Sequence, residues 1–336
     1  MKKTFVIAEA GVNHNGRIDV AYKLIDAAVS AGADAVKFQT FEASNLVLKS
    51  AEKAEYQKDL ALKKETQFEM LTRLELSKSG HLDLQAYCKD RDIIFLSSAF
   101  DLKSIDFLNQ IGLRLFKIPS GEITNVPYLR KIGKLKKEVI LSTGASELDE
   151  IKTAVDVLKK SGTPQTQITV LHCNSQYPTP VRDVNLACLK TLRDELGTRV
   201  GYSDHTMGIE VPIAAVALGA TVIEKHLTLN QEDNSGPDHK ASLMPVEFGE
   251  MVRAIRNIDQ AMGDGVKTVS ESEEPNRLVI RKSIVASRRI MKGAIFNEDN
   301  LSVKRPSGGI GAELWDDLIG TVATKDYSED EWIEIS

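Results

Sequence analysis

The sequence predicts a parallel α/β fold, a TIM (β/α)8 barrel followed by a small β-rich domain. Two observations point to the barrel. Eight short apolar runs rich in Val, Ile and Phe alternate with segments of helical period. That alternation implies parallel strands joined by crossover helices, and eight such units close into a barrel of roughly 250 residues. A third observation adds the second domain. The barrel pattern stops near Met262, well short of the end of a 336-residue chain.

The expected strands are Phe5–Glu9, Ala35–Gln39, Ile93–Ser97, Leu115–Ile118, Val139–Ser142, Ile168–His172, Val200–Ser203 and Val222–His226. Each is short, apolar and bounded by turn residues. Helical periodicity falls over Val20–Ser30, His81–Arg91, Lys103–Gln110, Pro127–Ile132, Glu147–Ser161, Leu186–Leu196, Ile209–Leu218 and Pro245–Met262. Gly32 and Gly219 suit helix ends that feed the next strand. The connection from Thr40 to about Lys78 is long and charged, so a functional loop with a helix over Gln67–Leu74 is expected. The barrel is read as 1–265 and a polar linker as 266–277. The β-rich domain is read as 278–336, with strands at Ser283–Ala286, Leu301–Lys304 and Trp332–Ile335 and a turn over Arg288–Gly293.

Composition narrows the function. Hydrophobic content of 42% and charged content of 27% are those of an ordinary globular protein. A net charge of −5 argues against a nucleic-acid binder, which needs a basic footprint. No apolar run is long enough to span a membrane. The start opens like a signal peptide, but Glu9 and Asn13 break the apolar run, and it reads as a first strand. Cys88, Cys173 and Cys188 are few, odd in number and without CxxC spacing. They predict a reduced, cytoplasmic protein without a structural zinc site.

The residues that carry chemistry fall at strand C-termini, where parallel α/β folds place their sites. Glu9 and His14 follow the first strand, and Lys37 and Gln39 end the second. Ser98 ends the third, and Lys117, Ser120 and Glu122 the fourth. Ser142 follows the fifth, Ser175 and Tyr177 the sixth, Ser203 and His205 the seventh, and His226 the eighth. Lys37 and Lys117 sit inside apolar strands, which is costly unless each meets an anion. A snorkelling strand-end lysine is the alternative. Ser120-Gly-Glu and Ser142-Thr-Gly offer hydroxyls and turn N–H groups suited to an anion, or ordinary turn chemistry. His205 and His226 are read as ligands of a divalent Mn, Fe, Co or Zn, with hydrogen-bonded core histidines as the alternative. His14 is read as a turn residue and His81 and His172 as structural. Asp238, in a polar loop with His239, suits a hydroxylated ligand. Together these predict a polyanionic substrate and a carbonyl polarised by metal.

The segments AEAGVNHNG, VKFQT, FKIPSGE, LSTG, LHCNSQYPTP, GYSDHT, IEKH and GPDHKAS resemble the bacterial sialic acid (nonulosonic acid) synthase family over nearly the whole chain. The tail from Ile290 to Pro306 and Ile319-Gly320 resembles its antifreeze-like SAF domain. The resemblance implies condensation of phosphoenolpyruvate with the open-chain aldehyde of an N-acylated hexosamine of N-acetylmannosamine type. A nine-carbon 2-keto-3-deoxy acid and phosphate would leave. It implies Mn2+, with Mg2+ or Co2+ as alternatives, held by His205 and His226. It places phosphoenolpyruvate on Lys37, Lys117, Ser120, Ser142 and Ser203, and the sugar and intermediate near Glu9, Gln39, Glu122, Tyr177 and Asp238. The resemblance also implies Ser175 as a further substrate contact. Arg305 would reach the sugar's N-acyl group across a domain-swapped homodimer. Ser98 stands where many members have Thr and keeps the hydroxyl. Gln176 stands where relatives often carry Glu, and Arg281 where some carry an aromatic residue.

Three other readings compete. A barrel synthase using a phosphorylated aldose would need a second phosphate site, and one set of anion-binding candidates is legible. A non-catalytic sugar-binding barrel would not need the lysines and the histidine pair. Ice binding by the tail is opposed by Arg288, Arg289, Lys292, Lys304 and Arg305. For the sugar, the start AEAGV and GEITN look closer to legionaminate synthases than to some sialic acid synthases.

Overall fold

The computed structural model describes residues 3–57 and 65–334. The chain divides into two compact units, the first ending at Asp264 and the second beginning at Gly265. In the first unit, β1 (Phe5–Gly11), β2 (Ala35–Thr40), β3 (Ile94–Ala99), β4 (Leu115–Ile118), β5 (Glu138–Ser142), β6 (Ile168–Cys173), β7 (Arg199–Asp204) and β8 (Val222–His226) form a closed parallel barrel in sequence order. Strand β8 returns to β1, pairing Phe5 with Val222 and Glu9 with His226.

Strand period fixes which side chains face inward. Ile7, Ala35, Leu96, Ile140, Leu171 and Val222 fill one apolar layer inside the barrel. Two residues further along each strand, on the same face, stand Glu9, Lys37, Ser98, Ser142, Cys173 and Glu224. The second interior layer is therefore polar, and it lies at the C-terminal mouth. Outward residues such as Val6, Phe38, Phe116 and Tyr202 join the larger core under the helices.

The helices are α1 (Ile18–Ser30), α2 (Ala43–Leu46), α3 (Gln67–Leu74), α4 (Lys78–Asp90), α5 (Leu102–Gln110), α6 (Val126–Lys134), α7 (Leu148–Ser161), α8 (Cys188–Leu196), α9 (Glu210–Ala217) and α10 (Pro245–Ala261). Several begin at side-chain caps that satisfy orphan N–H groups. Asp101 accepts from Lys103 N and Ser104 N at α5, and Asn125 accepts from Tyr128 N at α6. Thr66 and Glu69 form a capping box at α3, which occupies the span its periodicity predicts. No described helix is long and apolar enough to cross a membrane.

In the second unit, α11 (Glu274–Ile280) precedes β9 (Ser283–Ala286), which pairs antiparallel with β10 (Leu301–Lys304); α12 (Trp315–Leu318) follows. Ile284, Ile290, Phe296, Leu301, Tyr327 and Ile333 form its own core. Helix α11 begins inside the stretch read as linker. Seven residues with Pro275 in the first turn are too few to show a helical period. The strand expected over Trp332–Ile335 reduces to one bridge, Trp332 to Val285, and Ile335 lies outside the described residues.

Gly201 faces the barrel interior, where an added Cβ would stand 2.5 Å from Leu171 Cδ2 and 2.5 Å from Val222 O. Overpacking of this kind costs about 1–3 kcal/mol. Gly201→Ala is expected to lower the urea midpoint accordingly. An unchanged midpoint would show that the barrel can widen there.

Candidate active site

The polar layer begins with a steric device. Strand β1 shifts register between Glu9 and Gly11, and Gly11 adopts φ +50°, a left-handed conformation that favours glycine. A Cβ there would lie 3.2 Å from Glu9 Oε1, 3.4 Å from Gln39 Nε2 and 3.5 Å from Asp238 Oδ2. Glycine therefore lets three polar side chains converge.

Four charged groups then meet in the barrel. Lys37 Nζ lies 2.6 Å from Glu9 Oε2 and 3.7 Å from Glu224 Oε2, and it donates to Ser98 Oγ at 3.0 Å. Lys117 Nζ lies 3.3 Å from Glu224 Oε1. Ser203 Oγ donates to Glu224 at 2.9 Å, and Gln39 Nε2 donates to Glu9 at 3.3 Å. Lys37 is 2% and Lys117 5% exposed, so neither snorkels to solvent. Burial pushes the Glu224 carboxyl up, but Lys117 and Lys37 outweigh it and hold it at about 2. Burial, reinforced by Glu224, raises Glu9 despite Lys37. Burial works against the charge on Lys37, yet Glu224 and Glu9 raise its pKa. Lys117 is lowered by burial and by Lys37. One carboxylate is thus firmly ionised, and its neighbour Glu9 is shifted toward holding a proton.

The two imidazoles stand beside this cluster, with ring centroids 5.3 Å apart. His205 Nδ1 donates to Asn174 O at 2.6 Å, which leaves Nε2 with a free lone pair. His226 Nδ1 is buried without a hydrogen-bond partner, and Asp238 Oδ2 lies 3.7 Å away. Burial lowers His205 to about 4, and burial with His205 nearby lowers His226 well below its ordinary range. Burial and Glu9 raise Asp238 to about 7. Two neutral imidazoles with available nitrogens fit a divalent cation. Among the described residues no group of three or more His, Cys, Asp or Glu is arranged to hold a metal.

Tyr177 stacks on His205 with centroids 4.0 Å apart and meets His226 edge-on. Ser120 Oγ accepts from Gly144 N at 2.8 Å, joining two of the predicted turns. Glu122 accepts from Asn125 Nδ2 at 2.6 Å, and burial raises its pKa. One cavity of about 500 Å3 is lined by every barrel residue that the sequence assigns to substrate, catalysis or metal: Glu9, Lys37, Gln39, Ser98, Lys117, Ser120, Glu122, Ser142, Ser175, Tyr177, Ser203, His205, His226 and Asp238. Arg305 is exposed on the second unit, where its Nε donates to Ile280 O. A larger cavity of about 1180 Å3 opens at the opposite end of the barrel. Its walls include strand starts such as Phe5, Ile94, Leu115 and Val222, and the paired lysines and imidazoles lie elsewhere.

His14 Nδ1 accepts from Gly16 N in a turn. His172 Nε2 donates to Val184 O, and His81 Nδ1 donates to Ser77 O while its Nε2 bonds Thr40 Oγ1. Two groups escaped the sequence reading. Glu224 joins both lysines, although an acid inside an apolar strand carries the same signal that marked them. Lys225 and Asp204 point outward yet are wholly buried, paired at 2.5 Å. Asp204 also accepts from Thr206 N and Oγ1, which pins the chain on both sides of His205.

A model of the NeuB family matches residues 24–267, and a SAF domain model matches residues 281–336. The chain is 53% identical to N,N'-diacetyllegionaminic acid synthase of Campylobacter jejuni, over 99% of each chain. It is 46% identical to the protein of that name from Legionella pneumophila, over 94% of this chain and 89% of that one. Among solved structures, the N-acetylneuraminic acid synthetase of Leptospira borgpetersenii aligns with a TM-score of 0.71 at 33% identity. That alignment covers 82% of this chain and 90% of the other.

The depressed imidazoles predict an acid-side loss of stability. His205 and His14 each fall to about 4 from an ordinary 6.5. The unfolded chain therefore binds protons at these groups before the native state does. The stability they contribute is complete above about pH 6.5 and is lost as pH falls toward 4. In chelator-treated protein, the urea midpoint is expected to drop across this window, and to drop less in His205→Gln. Asp238, raised to about 7, adds stability as pH falls through the same window, so the comparison decides: an identical pH response in His205→Gln and the unaltered protein would contradict neutral burial of His205.

Proposed function

The chain belongs to the NeuB family, with a SAF domain after its barrel, and from that premise we propose that it is a phosphoenolpyruvate-dependent nonulosonic acid synthase. It condenses phosphoenolpyruvate with the open-chain aldehyde of an N-acylated mannosamine-type sugar. The enol carbon C3 bonds to the aldehyde carbon, water adds at C2, and phosphate leaves. The product is a nine-carbon 2-keto-3-deoxy acid. The sugar is 2,4-diacetamido-2,4,6-trideoxymannose, because two relatives similar over nearly the full length are named for diacetyllegionaminic acid.

The observation that carries this reading is the pairing of unlike ends in one cavity. Two buried lysines ringed by strand-end hydroxyls stand beside two neutral imidazoles. Lys37 and Lys117, with Ser98, Ser120, Ser142 and Ser203, hold the carboxylate and phosphate of phosphoenolpyruvate. An arriving anion competes with Glu9 and Glu224 for the lysine charges. Glu9 is already biased toward its protonated form, so it takes up the proton and keeps the buried charge balanced. Glu9 and Glu122 are the groups able to hold or return a proton near the reacting atoms. Gln39, Ser175, Tyr177 and Asp238 line the sugar end, and Tyr177 fixes the plane of His205 by stacking. His205 and His226 would hold a divalent cation, manganese by preference and magnesium or cobalt otherwise, which would supply Lewis-acid polarisation of the aldehyde oxygen.

Arg305 of a second protomer completes the site in a domain-swapped homodimer and binds the sugar's N-acyl group. The three cysteines are free, and the reaction draws on a cytoplasmic metabolite, which suits a cytoplasmic enzyme.

Phosphate release in the presence of manganese tests the reading. Turnover is expected with the diacetamido trideoxy sugar, with N-acetylmannosamine much poorer, and a chelator should abolish it. His205→Ala and His226→Ala should lose both turnover and manganese binding. Full activity in the double variant would remove the metal from the reading.

Lys37→Met and Lys117→Met test the anion end. A charge-assisted contact is worth about 1.5–3 kcal/mol. Each variant should lose on the order of ten- to a hundredfold in kcat/KM for phosphoenolpyruvate. An unchanged response in both would confine the lysines to balancing Glu9 and Glu224.

A further inference from the structure

The cavity has a second character at its outer end. Leu46 and Val47, Leu71 on α3 and Phe100 after β3 line it as well, on segments that follow the strands' C-terminal ends. Val12, Met70 and Leu74, which also line the cavity, form with Phe41 a small apolar cluster against which Leu46, Leu71 and Phe100 pack. Phe41 meets Phe100 edge-on with centroids 6.1 Å apart, which restrains the Phe100 ring. Leu46, Val47, Leu71 and Phe100 are half-buried: their exposed sides face the cavity. Gln57 and Gln67 flank the wall and bring side-chain amides.

We propose that this apolar wall determines which sugar the enzyme accepts, by receiving the distal carbons C4 to C6 of a deoxygenated, N-acylated substrate. The inference rests on the synthase reading of the same cavity. With the aldehyde at the imidazoles, the far end of an open-chain hexose points away from the lysines and toward the wall. A C6 methyl and the methyl of a 4-acetamido group gain by leaving water there. A C6 hydroxyl would lose its water partners against Leu46, Leu71 and Phe100, and among the described residues of this wall a C6 phosphate would meet no cation. The flanking glutamines can serve the polar part of a second acetamido group. The wall belongs to the long connection after β2 and the start of the chain after β3, so it can vary without disturbing the strand-borne chemistry.

Kinetics of the full-length enzyme with both sugars test this. Leu71→Gln keeps helix propensity and length but makes the wall polar. Val47→Thr keeps the shape and adds one hydroxyl, and serves if Leu71→Gln is poorly folded. Each should lower kcat/KM for the diacetamido trideoxy sugar by about 10–200-fold, the range set by one mismatched group in an apolar pocket. The value for N-acetylmannosamine should hold or rise, and KM for phosphoenolpyruvate should stay the same. An unchanged ratio between the sugars, or an equal fall for both, would overturn the proposal while leaving the synthase intact. No turnover by the unaltered enzyme with either sugar would instead overturn the synthase reading, and this assignment with it.

Discussion

Everything at the mouth of this barrel depends on one buried contact set: Lys37 and Lys117 against Glu9 and Glu224. Charges taken out of water are tolerable only when each finds a partner. The barrel meets that requirement by strand geometry alone. Residues two apart share a face, so an apolar layer at Ile7, Ala35, Leu96 and Val222 is followed on the same faces by Glu9, Lys37, Ser98 and Glu224. The lower layer holds the barrel closed. The upper layer stores a charge arrangement that an incoming anion can enter by displacing a carboxylate.

The neighbouring features serve that arrangement. The register shift at Gly11 brings Glu9, Gln39 and Asp238 together. Ser98 and Ser203 supply the remaining hydrogen bonds to Lys37 and Glu224. Outside the strands, the buried Lys225–Asp204 pair and Thr206 hold the chain around His205, while Asn174 sets its tautomer. The His205 imidazole is thereby held by outward groups that do not line the cavity and by Asn174, which does. This is the usual support that a ligating histidine needs to present one nitrogen.

The cavity also divides by origin. Its charged end is borne on strands, whose positions the closed barrel fixes within narrow limits. Its apolar end is borne on α2, α3 and the connections around them, which form a separate small core. Rigid strands suit chemistry shared by every substrate, and loop-borne walls suit discrimination among them.

The sequence by itself determined the barrel, because eight apolar runs alternating with helical periods admit few other closures, and six of the eight expected strands lie within one residue of their observed ends. It also determined the location of the site, because polar residues ending apolar strands stand out against their surroundings. Lys37, Lys117, His205 and His226 were legible for that reason, and the ordered motifs from AEAGVNHNG to GPDHKAS carried the family. What a lysine meets across the barrel is not written along its own strand. That Glu224 is the partner of both lysines, that Asp204 and Lys225 are buried together, and that Leu46, Leu71 and Phe100 form one wall were decided only by tertiary structure. Each depends on residues far apart in the chain being brought within contact by barrel closure and by the packing of the long connection, and neither periodicity nor local motif records such distances. The short helix Glu274–Ile280 was illegible for the opposite reason: it is too brief for its period to rise above a polar, charged composition.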